Sequence, residues 1–143
     1  MADESNQLRV RLVTPERILF DSPADAVELP SKSGYMEVLY GHAPLMAELG
    51  AGDVVVHGGK AEGAGERYNV SWGFVEVLPD RVTILASDAL KPEEIDVKRA
   101  EEQLARGNKM WSEAGTSEEA YTQALHVIEE AEAKLASAGE KKK

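Results

Sequence analysis

The sequence predicts an α+β chain in which the strands come first: an N-terminal antiparallel β-sandwich over residues 1–89, then a two-helix antiparallel hairpin over 90–143. Three observations carry this reading. Up to Ala89 the apolar residues fall in short runs with a period of two, each closed by Gly, Pro, Asp or Ser. From Pro92 onward they recur every three or four positions. No helical stretch separates the strands, which argues against a parallel sheet.

The strands follow in order. Leu8, Val10 and Leu12 alternate with Arg9 and Arg11, the pattern of a half-buried strand. Thr14–Pro15–Glu16 turns the chain into Ile18–Phe20, and Asp21–Ser22–Pro23 breaks it again before Ala26–Leu29. Tyr35–Tyr40 reads as extended, Gly41–Pro44 as a loop, and β-branched Val54–Val56 as a strand. Gly58, Gly59, Gly63 and Gly65 suit a hairpin tip. Arg67–Leu78 reads as one long strand, with Gly73 marking a bulge or a close approach. After Pro79–Asp80 the last strand, Arg81–Ser87, puts Val82, Ile84 and Ala86 on one face. Leu8, Val10, Leu12, Val27, Leu29, Val55, Phe74, Val77, Val82 and Ile84 are the expected core.

A helix is expected to begin between Pro92 and Asp96. Proline is tolerated in a first turn, and Glu93, Glu94 and Asp96 suit the positive end of a helix dipole. Val97, Ala100, Leu104, Gly107 and Trp111 form its apolar stripe. Thr116 or Ser117 ahead of Glu118–Glu119 starts a second helix, with Tyr121, Leu125, Ile128, Ala131 (or Glu132) and Leu135 as its stripe. Both stripes are narrow and rich in alanine, so the pair is expected to be weakly held and able to move, about hinge residues near Ser87–Pro92. The Gly139–Lys143 tail is expected to fray.

Composition narrows the function. With 26 acidic against 16 basic residues and a formal charge of −10, the chain repels phosphate backbones, so no nucleic-acid partner is expected. Cysteine is absent, which excludes disulfides and thiolate chemistry. No segment approaches the length of a membrane span, and the first residues lack a signal-peptide core, so any membrane link runs through partner subunits. His42, His57 and His126 are too scattered for a zinc motif, and no metal site is expected. Gly58–Gly59–Lys60 is followed by Ala61 rather than Ser or Thr, which is not a phosphate loop. The serines lack a nucleophile-elbow context, and no carboxylate pair is marked out, so no catalytic residue is assigned. One polar stripe stands out: Asp96, Arg99, Gln103 and Arg106 follow helical spacing, with Arg99 and Arg106 two turns apart. Spacing alone leaves two readings, a polyphosphate clamp or intrahelical pairing with Asp96 and Glu102.

Four segments in order then carry a resemblance: Gly41–Leu45 with Gly52–Val54, Gly73–Val77, Val82–Ala89, and Ile95–Ala100. Together they resemble the epsilon subunit of bacterial F-type ATP synthases, over most of the chain from Leu8 to about Leu135. The resemblance implies a non-catalytic subunit of the central rotor stalk, coupling proton flow to ATP synthesis, at the cytoplasmic face of the cell membrane as part of the complex. It implies that the sandwich binds the gamma subunit and rests on the c ring, with Tyr35, Glu37, Tyr40, Gly41, His42 and Pro44 as contact residues. It implies that the hairpin, when extended, reaches the alpha and beta subunits and inhibits ATP hydrolysis. In some members ATP is a regulatory ligand of the folded hairpin. The matching positions here are Ile95, Asp96, Arg99, Ala100 and Arg106. The chain departs from the family's pattern at Tyr40, Glu37 and Trp72, and its second helix offers only Lys134 where ATP-binding members carry arginines. ATP binding is therefore expected to be weak or absent, and no other cofactor is implied. The alternative reading is a free-standing β-sandwich adaptor with a helical docking arm.

Overall fold

The computed structural model describes residues 7–58 and 66–142, with side chains described as far as Gly139. The glycine-rich tip expected at 58–65 lies, beyond Gly58, outside those residues, as do most side chains of the tail expected to fray. The chain divides into two compact units, 1–90 and 91–143.

The first unit contains seven strands: β1 (Leu8–Val13), β2 (Ile18–Ala24), β3 (Ala26–Ser31), β4 (Gly34–Leu39), β5 (Leu45–His57), β6 (Glu66–Leu78) and β7 (Arg81–Leu90). They are hydrogen-bonded in the order β2-β1-β7-β6-β5-β3-β4. Every pairing is antiparallel except β1 with β7.

This one ladder becomes a sandwich because its two 13-residue strands, β5 and β6, serve both layers. In β6 the buried apolar side chains are Tyr68 and Val70 before the middle, and Val75 and Val77 after it, with Asn69 and Ser71 buried as well in the first half. The inward phase therefore switches from even to odd positions at Trp72–Gly73. In β5 it switches in the opposite sense, from Leu49 to Val54 and Val56. A strand whose period-two pattern slips by one turns its other face to the core.

The switch falls where the Gly50–Trp72 pair is missing from a ladder whose register is otherwise unbroken, Leu49 pairing with Gly73 and Ala51 with Ser71. Trp72 has φ +60° and Gly73 φ +128°. A Cβ on Gly73 would collide with the Leu85 carbonyl oxygen, so the close approach expected at this glycine is present.

Leu8, Val10, Leu12, Val27, Leu29, Val77, Val82 and Ile84 lie in the core as expected. Two assignments are corrected. Val55 is only half-buried, its neighbours Val54 and Val56 taking the core positions. Phe74 is 55% exposed, and Val75 is buried instead. The phase slip one residue before Phe74 explains that error.

Strand β5 begins at Leu45, nine residues before the expected start, because Ala47–Asp53 has low intrinsic β preference and is held by pairing on both sides. Strand β3 continues through Pro30. There the β3–β5 register shifts between Glu28 and Ser31, as a residue without an N–H requires. Pro23 is accommodated because β2 is an edge strand. Residues 87–90, expected as hinge, belong to β7 and pair with β6 as far as Asn69↔Leu90.

The second unit opens with a short 3₁₀ turn, Pro92–Glu94, closed by a hydrogen bond from the Lys91 N–H to Glu94 Oε1 of 2.8 Å. Ile95 and Asp96 are extended, so α1 (Val97–Ser112) starts after the proline turn rather than in it. Helix α2 spans Glu118–Lys142. The Ser117 hydroxyl accepts from the Ala120 N–H at 3.1 Å, the cap expected there.

The seam of the hairpin is built from small residues. Ala100 and Gly107 on α1, and Ala124 and Ala131 on α2, are buried at seven-residue intervals. At Gly107 a Cβ would lie 2.7 Å from Ile128 Cγ1. Leu125, expected in the seam, is 45% exposed and Ala124 replaces it, because closely spaced helices admit only small side chains between them. Trp111, also 45% exposed, closes the open end of the seam edge-to-face on Tyr121 at 4.7 Å.

Candidate functional site

The first candidate set lies on β4, the edge strand, and on the turn that follows it. Period-two alternation sends Met36 and Val38 inward and Tyr35, Glu37 and Leu39 outward. Tyr35 is 64% exposed, yet its hydroxyl accepts a 2.9 Å hydrogen bond from the Asp53 N–H. A Cβ on Gly52 would meet that hydroxyl, so the glycine is what lets the tyrosine lie down on β5. Part of Tyr35 is thus structural, and the remaining ring surface is open.

Glu37 stands directly opposite Glu28 in the β3–β4 ladder. Two carboxylates at that spacing repel. Glu28 is engaged at 2.6 Å by His57 Nε2 from β5, which leaves Glu37 as the outward anion of the pair.

Tyr40 to Pro44 form the turn into β5. Gly41 takes φ +90° and donates its N–H to the Pro79 carbonyl at 2.7 Å, tying this turn to the β6–β7 turn. The His42 N–H bonds to the Leu39 carbonyl at 3.2 Å, and His42 Nδ1 lies 2.7 Å from the Ala43 carbonyl. The imidazole is therefore satisfied locally. Tyr40 and Pro44 are exposed, as are Leu45 and Met46 just beyond them. The six sequence-selected residues are brought together as one strip, and Leu39, Leu45 and Met46 extend it. Their outward positions follow from strand phase, a signal that was unreadable while the start of β5 was placed too late.

The second candidate set lies in the other unit and divides in two. Ile95 and Ala100 are buried and pack. Asp96 caps α1, its Oδ1 accepting the Arg99 N–H at 3.1 Å. Arg99 and Arg106 are exposed, and neither is ion-paired with Asp96 or Glu102. The motif supplies a helix start and two packing residues, with two guanidiniums that have no ion pair among the described residues. On α2, Lys134 is only 13% exposed at its side chain and is held by Glu130 at 2.8 Å, so it is not a free cation.

Among the described residues, no group of three or more His, Asp or Glu could hold a metal ion. No helix among them is long and apolar enough to cross a membrane.

A further feature was missed by the sequence reading. On the outer face of β6, β7, β1 and β2, the register aligns Phe74, Leu85, Val13 and Ile18 in one row. Phe74, Leu85 and Ile18 are each more than half exposed. Placing Phe74 in the core hid this row, and pairing Val13 with Leu85 requires the parallel β1–β7 contact that short-strand patterns do not disclose.

Comparison with known proteins gives a consistent result. Residues 7–102 match the family model described as ATP synthase, Delta/Epsilon chain, beta-sandwich domain. The ATP synthase epsilon chain of Koribacter versatilis is 41% identical over 104 residues, covering 73% of this chain and 71% of its own length. That of Solibacter usitatus is 37% identical over 134 residues, covering 94% and 97%. The chloroplastic epsilon chain of Chlamydomonas reinhardtii is 36% identical over 98 residues. A chain of the Euglena gracilis mitochondrial ATP synthase shares the fold, with a TM-score of 0.75 at 24% identity, over 92% of this chain and 81% of that one. Given a family match across two thirds of its length and one relative aligned nearly end to end, the chain belongs to the ATP synthase delta/epsilon family.

Proposed function

We propose that the chain is the non-catalytic epsilon subunit of the central rotor stalk of a proton-translocating F-type ATP synthase. The observation that supports this most is the 37% identity to an epsilon chain along 94% of the sequence, so that the likeness includes the hairpin as well as the sandwich. In this reading the sandwich grips the gamma subunit and rests on the c ring, with Tyr35, Glu37, Tyr40, Gly41, His42 and Pro44 at those contacts. Their support is geometric: an exposed strip on an edge strand and its turn, continued by exposed Leu39, Leu45 and Met46. Exposed apolar groups gathered on one side of a small domain mark a protein interface. The complex places the subunit at the cytoplasmic face of the membrane through its partners.

The test is co-purification. Co-expressed with gamma, the full chain is expected to elute as a stable one-to-one complex, and Tyr40→Asp with Met46→Asp to weaken it. A chain that elutes alone at micromolar concentration refutes the reading and favours the free-standing adaptor.

ATP is a weak or absent ligand in this reading. Arg99 and Arg106 present two guanidiniums, while the one cation within Tyr121–Leu135 of α2, Lys134, is committed to Glu130. Titration of the full chain with ATP at low salt is expected to show no saturation below about millimolar concentration. That corresponds to no more than about 4 kcal/mol. Tight, saturable binding overturns this statement.

A further inference from the structure

The outer face of the sandwich grades from apolar to basic across three register rows. The apolar row is Phe74–Leu85–Val13–Ile18. Two residues further along β6, β7 and β1, and three along β2 where its register with β1 shifts, the next row is Glu76–Thr83–Arg11–Asp21. Two further still, Arg81 stands beside Arg9 in the parallel β1–β7 pair. A cleft of about 290 Å³ opens between these last two rows, lined by Arg9, Arg11, Arg81, Asp21, Glu76 and Thr83, with Val82 at its floor.

The charges in this cleft do not balance. Asp21 serves two arginines: its Oδ1 takes Arg9 at 2.8 Å, and its Oδ2 lies 3.7 Å from Arg11, beyond hydrogen-bond range. The Arg81 side chain has no partner among the described residues. Like charges side by side on adjacent strands are destabilising, and even with Glu76 counted three guanidiniums face two carboxylates. In a chain of formal charge −10, an excess of cation at one concave place, bordering an exposed apolar row, is a pattern that folding alone does not call for.

We propose that this cleft receives a carboxylate side chain of a partner protein, and that the apolar row beside it receives the apolar residues of the same segment. The occupant is thus a polypeptide stretch with apolar side chains flanked by Asp or Glu. A lone small anion would use the arginines and leave the apolar row in water. A nucleic acid or an anionic membrane would meet the negative charge of the rest of the chain. Arginine suits the task because its planar fork holds a carboxylate through two hydrogen bonds. The inference deepens the proposed function, since it takes the partner to be the stalk subunit gripped by the sandwich.

The experiment measures the affinity of the full chain for purified gamma by calorimetry, at two salt concentrations, for the parent and for Arg81→Ala, Arg81→Glu and Lys98→Glu. Because the Arg81 side chain has no ion pair or hydrogen bond among the described residues, these variants are expected to melt with the parent. Arg81→Ala is expected to weaken binding about 5- to 10-fold, and Arg81→Glu at least 50-fold. The salt dependence should become shallower in both, with Lys98→Glu unchanged. Parent binding with no loss in Arg81→Glu overturns the inference and leaves the stalk reading standing. Absence of parent binding removes the stalk reading and the inference with it. Inorganic phosphate bound saturably by the isolated chain and lost in Arg81→Glu, with gamma affinity unaltered, makes the cleft a small-anion site and also overturns the proposal.

Discussion

At position 73 the backbone takes φ +128° with the Leu85 carbonyl where a side chain would begin, so glycine there is a requirement of the fold. Gly73→Ala combines an unfavourable backbone region with a collision against main-chain atoms that cannot rotate away. Such sites cost of order 2–4 kcal/mol. In a unit of this size that is a fall of more than about 10 °C in melting temperature, readable by circular dichroism. Melting of the variant together with the parent would mean that the bend does not depend on this residue. Gly41 also has positive φ, but nothing stands within 4 Å of a Cβ there, so strain alone is at stake. Asp96 illustrates a different point at the same scale. A residue that looks like a ligand in a motif can be fully occupied as a helix cap, and here its carboxylate is spent on the Arg99 N–H. Tyr35 likewise divides its surface, the hydroxyl holding β5 and the ring facing out.

The hairpin is the element whose strength rests on proximity rather than on bulk. Ala100, Gly107, Ala124 and Ala131 each bury little area, so the helices gain stability from close backbone approach and from Trp111 against Tyr121. Gly107→Val inserts branched carbon where Ile128 and Val127 already stand. It is expected to push the helices apart and speed amide hydrogen exchange in α1 and α2 at least tenfold, about 1.4 kcal/mol, while amides of β5 and β6 keep their protection. Equal slowing or quickening in both units would show that they open as one. The strand alternation in β1 and β7 and the cap at Ser117 were legible from residue types alone, because each depends on neighbours in sequence, whereas Asp96 was read as part of the first turn and is its cap. The first half of β5 was not legible, since two glycines and two alanines there become a strand only by pairing with β6 and β3. Phe74 and Leu125 were misplaced for a shared reason: a switch of the inward phase at Trp72–Gly73, or a seam that admits only small residues, moves the buried position to the adjacent residue. The outward strip at Tyr35–Pro44 was legible as a loop with its strand. The arginine cleft was not, because its third member arrives through a parallel pairing seventy residues away in sequence.

For the whole molecule, the two compact units differ in kind. The first has a continuous apolar core drawn from all seven strands, most of it large aliphatic side chains. The second is a helical pair joined by small residues and begins where β7 leaves the sheet at Leu90. If such an element has two states, a partner with different affinity for them shifts it. If the hairpin acts as a brake on hydrolysis, its removal has a defined signature. Ending the chain at Leu90 leaves every ladder of the sandwich intact, including Asn69↔Leu90, so assembly with the stalk and coupling of proton flow to synthesis are expected to persist. ATP hydrolysis by the reconstituted complex is expected to rise severalfold, which corresponds to about 1 kcal/mol of lost bias toward the inhibited state. The comparison that matters is hydrolysis against synthesis in the same vesicles. A rise in hydrolysis with synthesis preserved identifies a regulatory arm. Loss of both means that the hairpin supports assembly. Unchanged hydrolysis with a properly assembled stalk means that the arm is no brake.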